Sequence, residues 1–142
     1  MKRNLTIGLP LVVFSLLLAT TSAYSQSKSK AYVPFSFKAG QAQLPPGHYE
    51  LKVTADNNVV TIYNRESGKT VLALATVRED SPLHTQGKLI FHSYGKQYFL
   101  AEIWGAEATK GVLFSPSKQE KHMQQVASGP STTGKEVMIA LK

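Results

Sequence analysis

Val33-Pro34-Phe35-Ser36-Phe37-Lys38-Ala39-Gly40, followed at Leu44 by Leu44-Pro45-Pro46-Gly47-His48-Tyr49-Glu50-Leu51-Lys52-Val53, decides how the chain is read. Val33, Phe35 and Phe37 alternate with Pro34, Ser36 and Lys38, and Tyr49, Leu51 and Val53 alternate with His48, Glu50 and Lys52. A period of two places the first member of each set on one face of a half-buried strand. Pro34 cannot donate to a ladder, so the first strand belongs at a sheet edge or begins there. Between the two runs, Pro45-Pro46-Gly47 fixes one φ and frees another, which suits a tight corner with Leu44 as an apolar plug beneath it.

The same rhythm continues toward the other end of the chain. Residues 55–58 (Ala-Asp-Asn-Asn) read as a turn, Val59 to Asn64 as a strand, and Arg65 to Lys69 as a hairpin loop. Thr70 to Arg78 is apolar on both faces, which predicts a strand covered on both sides, by the helix described below. Glu79 to Gly87 reads as a polar connection. Lys88 to Tyr94 and Gln97 to Trp104 are strands joined at Gly95-Lys96. Here two rules conflict. A two-residue type II′ turn would pair Leu89 with Glu102. A three-residue loop, Gly95 to Gln97, gathers Leu89, Phe91, Phe99, Ala101 and Ile103 on one face, and the hydrophobic pattern favours it. The opposite face would carry Ile90, His92, Tyr94, Tyr98, Leu100, Glu102 and Trp104.

Gly105 to Gly111 is a turn region and Val112-Leu113-Phe114 an apolar link. A helix over about 116–127 follows, capped by Ser115 with Pro116 at the first helical position, or by Ser117 and Glu120 as a capping box. Residues 128–134 form a loop, and Lys135 to Lys142 a closing strand with Val137, Ile139 and Leu141 inward. Seven strands and one short helix, with turn signals every 8 to 12 residues, predict an all-β, mainly antiparallel fold. It is a small 7–8-stranded barrel or sandwich with one helix before the last strand.

Upstream of the domain, Met1-Lys2-Arg3-Asn4 is basic, residues 5–19 are largely apolar, and Thr20 to Gln26 offers small residues for cleavage after Ala23 or Ser25. That is the pattern of a secretory signal peptide. The apolar run, interrupted by Pro10, is shorter than the roughly 20 residues that span a bilayer. The domain organisation expected is therefore a signal peptide over 1–25, a polar spacer over 26–30 and one β-domain over 31–142. Localisation is expected to be periplasmic or extracellular, with no transmembrane segment after cleavage. There is no cysteine, which excludes disulfides, thiolate metal sites and a cysteine nucleophile. Loss of Lys2 and Arg3 lowers the net charge from +7 to +5. The remaining cations are scattered, which argues against nucleic acid and leaves anionic envelope polymers or lipid head groups as candidate partners.

Two blocks carry a resemblance. The VPFxF…G…LPxGxY start at Val33 to Tyr49, together with Phe91-His92-Ser93-Tyr94-Gly95-Lys96-Gln97-Tyr98-Phe99-Leu100-Ala101-Glu102-Ile103-Trp104, resembles a family of small exported bacterial β-rich proteins. The later Ser-x-x-Glu at Ser117 and Glu120 is similar to that family as well, whereas Ser93 and Lys96 depart from its usual residues. The resemblance implies export and a β-rich fold and brings no catalytic residues with it.

Chemistry is sparse. His48, His84, His92 and His122 show no pair at metal-ligand spacing. Glu79, Asp80 and His84 share a stretch whose polarity explains them without a cation. No nucleophile elbow, phosphate loop or dinucleotide fingerprint occurs, so no enzyme activity, metal or cofactor is expected. The candidate binding residues are His92, Tyr94, Tyr98, Glu102 and Trp104, rings with polar edges on one sheet face. They suit contact with an envelope polymer, a lipid interface or another envelope protein, unless the helix covers them. The alternative is a carrier of small apolar ligands in a pocket lined by Phe35, Phe91, Phe99 and Ile103. A third reading, an envelope hydrolase, would rest on Glu102 with a second carboxylate.

Overall fold

The computed structural model describes residues 28–54, 58–127 and 134–142. In chain order its elements are β1 (Lys28–Val33), β2 (Phe37–Ala39), β3 (Ala42–Leu44), β4 (Gly47–Thr54), β5 (Val59–Asn64) and β6 (Thr70–Leu74). Then come β7 (Thr76–His84), β8 (Lys88–Tyr94), β9 (Gln97–Trp104), β10 (Ala108–Leu113), α1 (Lys118–Ala127) and β11 (Lys135–Ala140). One sheet runs β1-β4-β5-β6, the other β11-β8-β9-β10-β7, with the β2–β3 hairpin attached to β9. All ladders are antiparallel except β2 with β9, where Lys38 pairs with Phe99. The fold is a sandwich, which decides between the two architectures expected. Ala31, Val33, Tyr49, Leu51, Val60 and Ile62 from the first sheet share one apolar core with Leu89, Phe91, Leu100, Ile103 and Val112 from the second.

The opening stretch is built as expected at its second strand and differently at its first. Tyr49 and Leu51 are buried while His48 faces solvent, and Leu44 is fully buried under the corner. The Tyr49 hydroxyl donates to the Pro45 carbonyl, which ties the corner to the strand it feeds. Gly47 has φ 152°, a backbone that side chains with a Cβ rarely adopt. The single strand expected over Val33–Phe37 is in fact two. Val33 ends β1 in one sheet and Phe37 opens β2 in the other. Pro34, lacking an N–H, stands where the chain changes sheets. The polar spacer is also shorter than expected, because Lys28, Ser29 and Lys30 pair with Lys52, Leu51 and Glu50 as part of β1.

Thr70–Arg78 is likewise split. β6 ends the first sheet and β7 the second, with one residue, Ala75, between them, whose amide donates to the Asn58 carbonyl at 2.8 Å. The strand is not covered on both sides: Leu72 and Leu74 are 69% and 77% exposed. Its apolar character comes from a strand that serves two sheets in succession, which sandwiches use to turn corners. The connection expected over 79–87 is the continuation of β7 as far as His84, and the expected turn and apolar link near 105–114 supply β10. At the other margin, Lys30 and Lys142 exchange two backbone hydrogen bonds, of 3.0 and 2.8 Å. The closing strand pairs with β8 and holds Val137 and Ile139 against the core, as expected.

The β8–β9 register satisfies both rules that conflicted. Tyr94 pairs with Gln97, so Gly95-Lys96 is a two-residue turn, with Gly95 at φ 65°. That register holds to Phe91 opposite Leu100, then shifts so that Ile90 meets Glu102 and Leu89 meets Ile103. Ala101 is the extra residue of a β-bulge. The turn chemistry governs the tip, and the hydrophobic pattern governs the base. As a result Phe99 and Leu100 lie on the opposite faces from those expected. Leu100 joins the main core, and Phe99 joins a second cluster with Tyr94 and Ala127.

Candidate functional site

Helix α1 lies over the face that carries most of the predicted binding residues. It begins at Lys118, two residues later than expected, because Ser117 rather than Ser115 is the cap. The Ser117 hydroxyl accepts from the Glu120 amide at 3.1 Å. The Glu120 carboxylate turns to the sheet, where His92 Nδ1 lies 2.8 Å from its Oε1. Glu120 is buried and His92 half-buried. The hydrogen bond to Glu120 holds the His92 ring above the ordinary histidine pKa, against the opposing effect of burial. The Lys38 ammonium donates to Gln119, and Gln119 donates to Gln97 at 3.0 Å, pinning the first turn of the helix. Near its other end, Met123 and Ala127 pack on Tyr94 and Phe99.

The five predicted residues therefore do not form one open surface. His92 and Tyr94 lie beneath α1. Trp104 is 2% exposed, with the His84 ring 4.4 Å away and Gly111 directly opposite on β10. Its indole N–H donates to the Glu102 carboxylate at 2.6 Å, so the acid inside the apolar strand is held by its i+2 neighbour on the same face. Tyr98 is displaced by the bulge to the other face, where it stacks on Phe35 at 4.0 Å. The expected pocket set is dispersed as well. Phe35 and Phe91 meet edge to face in the core, Phe99 belongs to the second cluster, and Ile103 borders an apolar hollow with Leu51, Val53, Val77 and Val112. That hollow, between the two sheets, measures about 260 Å³.

Several other titratable groups are paired in ways the sequence only partly signals. Glu79 meets Lys110 at 2.7 Å, and no cluster of three or more metal-ligating side chains occurs among the described residues. His48 and His92 lie in different sheets. The Glu66 carboxylate takes the His48 amide at 2.9 Å through both oxygens and His48 Nδ1 at 2.6 Å. The backbone donor, then the ring, holds the Glu66 carboxyl below the usual carboxylate range. The Asn64 Oδ1 accepts the amides of Glu66 and Ser67 at 3.0 and 2.8 Å and shapes the loop that presents this acid.

One recess was not anticipated. Where β1, the start of β4 and the residues after β11 converge, a cleft of about 340 Å³ is bordered by Lys30, Tyr32, His48, Arg65 and Lys142. The Tyr32 ring is 54% exposed and lies 4.8 Å from the His48 ring. Arg65 is 3.6 Å from Glu50, while neither Lys30 nor Lys142 has a carboxylate partner among the described residues. An exposed aromatic plane beside ammonium and guanidinium groups can hold a ring-shaped anion by stacking and by charge. The chain matches no family model, no curated protein and no solved structure. The functional reading therefore rests on this geometry. Sequence reasoning missed the cleft because its residues come from four separate segments. The available signal was slight: an outward Tyr32 between Lys30 and Pro34.

Proposed function

We propose that the chain is exported and acts, after cleavage behind Ala23 or Ser25, as a non-enzymatic binding module of the cell envelope. Its ligand is an acidic polysaccharide strand held in the Tyr32 cleft. The observation that carries this reading is the juxtaposition of an exposed tyrosine ring with Lys30, Arg65 and Lys142 around one recess. The sugar ring stacks on Tyr32, and its carboxylate is met by Lys30 and Lys142, which have no carboxylate partner among the described residues, and by Arg65, which is shared with Glu50. The partly buried aromatic face under α1 supports a structural role for His92, Tyr94, Glu102 and Trp104 in place of the binding role expected from sequence.

Isothermal titration with polygalacturonate and with neutral dextran tests the reading. Binding is expected for the acidic polymer alone, weakened by salt, and lowered about tenfold by Tyr32→Ala or by Arg65→Ala, a loss of ~1.4 kcal/mol. Equal binding of dextran, or no binding of either polymer, would overturn it. Export is checked separately by the N-terminal mass of the secreted protein, expected to begin at Tyr24 or Gln26.

Carriage of a small apolar molecule is the second reading. It is supported by the hollow around Ile103 and Val112, which at about 260 Å³ lies just under the ~300 Å³ at which ligand pockets usually begin. Displacement of a fluorescent apolar probe by decanoate, abolished by Val112→Trp, would favour it over the cleft. Envelope hydrolysis has the least support, since the Glu102 carboxylate is engaged by the Trp104 indole. Turnover of an envelope polymer that is lost in Glu102→Gln would restore it.

A further inference from the structure

The two sheets differ in what covers their outer faces. α1 lies on the β8–β9 face of one sheet, whereas among the described residues no element of the chain lies on the outer face of β1-β4-β5-β6. The register maps that open face row by row. Lys28, Lys52, Thr61 and Leu72 lie side by side, as do Lys30, Glu50, Tyr63 and Thr70. Thr54, Val59 and Leu74 form a third row.

Two features of this face run against ordinary surface chemistry. Lys28 and Lys52 are directly opposed across two strands, and like charges so placed destabilise a sheet. Neither has a carboxylate partner among the described residues, and Glu50, the single acid of these rows, is shared with Arg65. At the other margin, Leu72 and Leu74 project from β6 with most of their surface in water. β6 also contains no charged residue and no Pro, the residues that commonly protect an exposed edge strand. A cationic half and an apolar lip on one flat face complement a surface that is anionic and apolar in the same sense, charged at its plane and oily just below it.

We propose that this face docks on an anionic lipid bilayer. Leu72 and Leu74 enter the boundary between head groups and acyl chains, and Lys28 and Lys52 lie at the level of the anionic head groups. Rows on neighbouring strands are about 4.8 Å apart, so Leu72 lies roughly 10 Å from Lys52, a spacing that lets both contacts form at once. Tyr32 and His48 continue the same outer face beyond the Lys30–Glu50 row, so a docked bilayer and a polymer in the Tyr32 cleft compete for this face, although Leu72 and Leu74 on β6 belong to the membrane contact alone.

Co-sedimentation of the exported protein with vesicles tests the proposal. Vesicles of phosphatidylcholine with 30 mol% phosphatidylglycerol, in about 0.1 M salt, are compared with phosphatidylcholine alone. Binding is expected only to the anionic vesicles. The pair Leu72→Ser and Leu74→Ser should lower it at least tenfold, and Lys28→Ala with Lys52→Ala about twenty-fivefold, since each cation near the surface contributes roughly a factor of five. Val126→Ser, which removes an apolar side chain 63% exposed on α1, should leave it unchanged. Equal binding to neutral vesicles, undiminished binding of the double leucine variant, or loss of binding in Val126→Ser overturns the proposal. Circular dichroism establishes that each variant is folded. Polygalacturonate binding should survive in the leucine variant, so failure here and failure of the cleft reading are distinct results.

Discussion

His92 Nδ1 lies 2.8 Å from the buried carboxylate of Glu120, and this contact joins α1 to the sheet it covers. Its pH dependence has a definite sign. The Glu120 hydrogen bond raises the His92 pKa first, and the nearby Glu136 and Glu102 charges act in the same direction, while burial opposes them. A folded-state pKa above the unfolded value of about 6.5 gives stability that is full below pH 6.5 and lost as pH rises through the folded value. Urea unfolding at pH 5.5 and pH 9 should therefore show the protein less stable at the higher pH, after correction for a His92→Ala reference. That substitution strands a buried acid and should cost about 2 kcal/mol at pH 6.

Gly111 is the second position where a single atom matters. It faces Trp104 across β9–β10, and a Cβ there would stand 2.5 Å from the indole and 2.9 Å from the Ile103 carbonyl oxygen. Neither the buried ring nor the backbone can retreat freely, so Gly111→Ala should destabilise by about 2–3 kcal/mol. At Gly105 the nearest atom would be 3.4 Å away, and Gly105→Ala should change stability by less than about 1 kcal/mol. Paired thermal unfolding curves separate the two.

The bulge makes a prediction about deletions. Removing Ala101 leaves Ile90 opposite Glu102 and Leu89 opposite Ile103, with every side chain on its present face. The main loss is the 2.8 Å bond from the Phe114 amide to the Ala101 carbonyl, about 1–2 kcal/mol. Deleting Ile90 instead exchanges the faces of Leu89 and Lys88 and should abolish cooperative folding. Near-ultraviolet dichroism of Trp104, retained in the first variant and absent in the second, is the readout.

Glu66 should titrate below the usual carboxylate range, because it accepts the His48 amide and then the His48 ring. With a depressed folded-state pKa, the contribution of this loop is present above the unfolded value of about 4.3 and disappears as pH falls through the folded one. Carboxyl-carbon NMR titration checks the direction. In a Gly47→Ala variant the shift should shrink, since a Cβ at Gly47 would meet the Glu66 carboxylate at 2.7 Å.

What the sequence determined by itself is local. Period-two alternation placed Tyr49 and Leu51 inward, the bounds of β5, β8 and β9 followed from turn residues, and Ser117 with Glu120 was one of the two helix starts the residues offered. These depend on neighbours a few residues away, and local chemistry suffices for them. Only the tertiary structure decided where one apolar run serves two sheets, as at Pro34 and Ala75, because a strand changes sheets according to what lies opposite it. It also decided which aromatic residues are covered. Trp104 and Tyr94 read as surface from alternation alone, yet His84, Gly111, Met123 and Ala127 reach them from distant segments. The Tyr32 cleft and the Lys28–Lys52 row exist only once β1 is laid against β4, since charge and ring become a site when the fold brings them together.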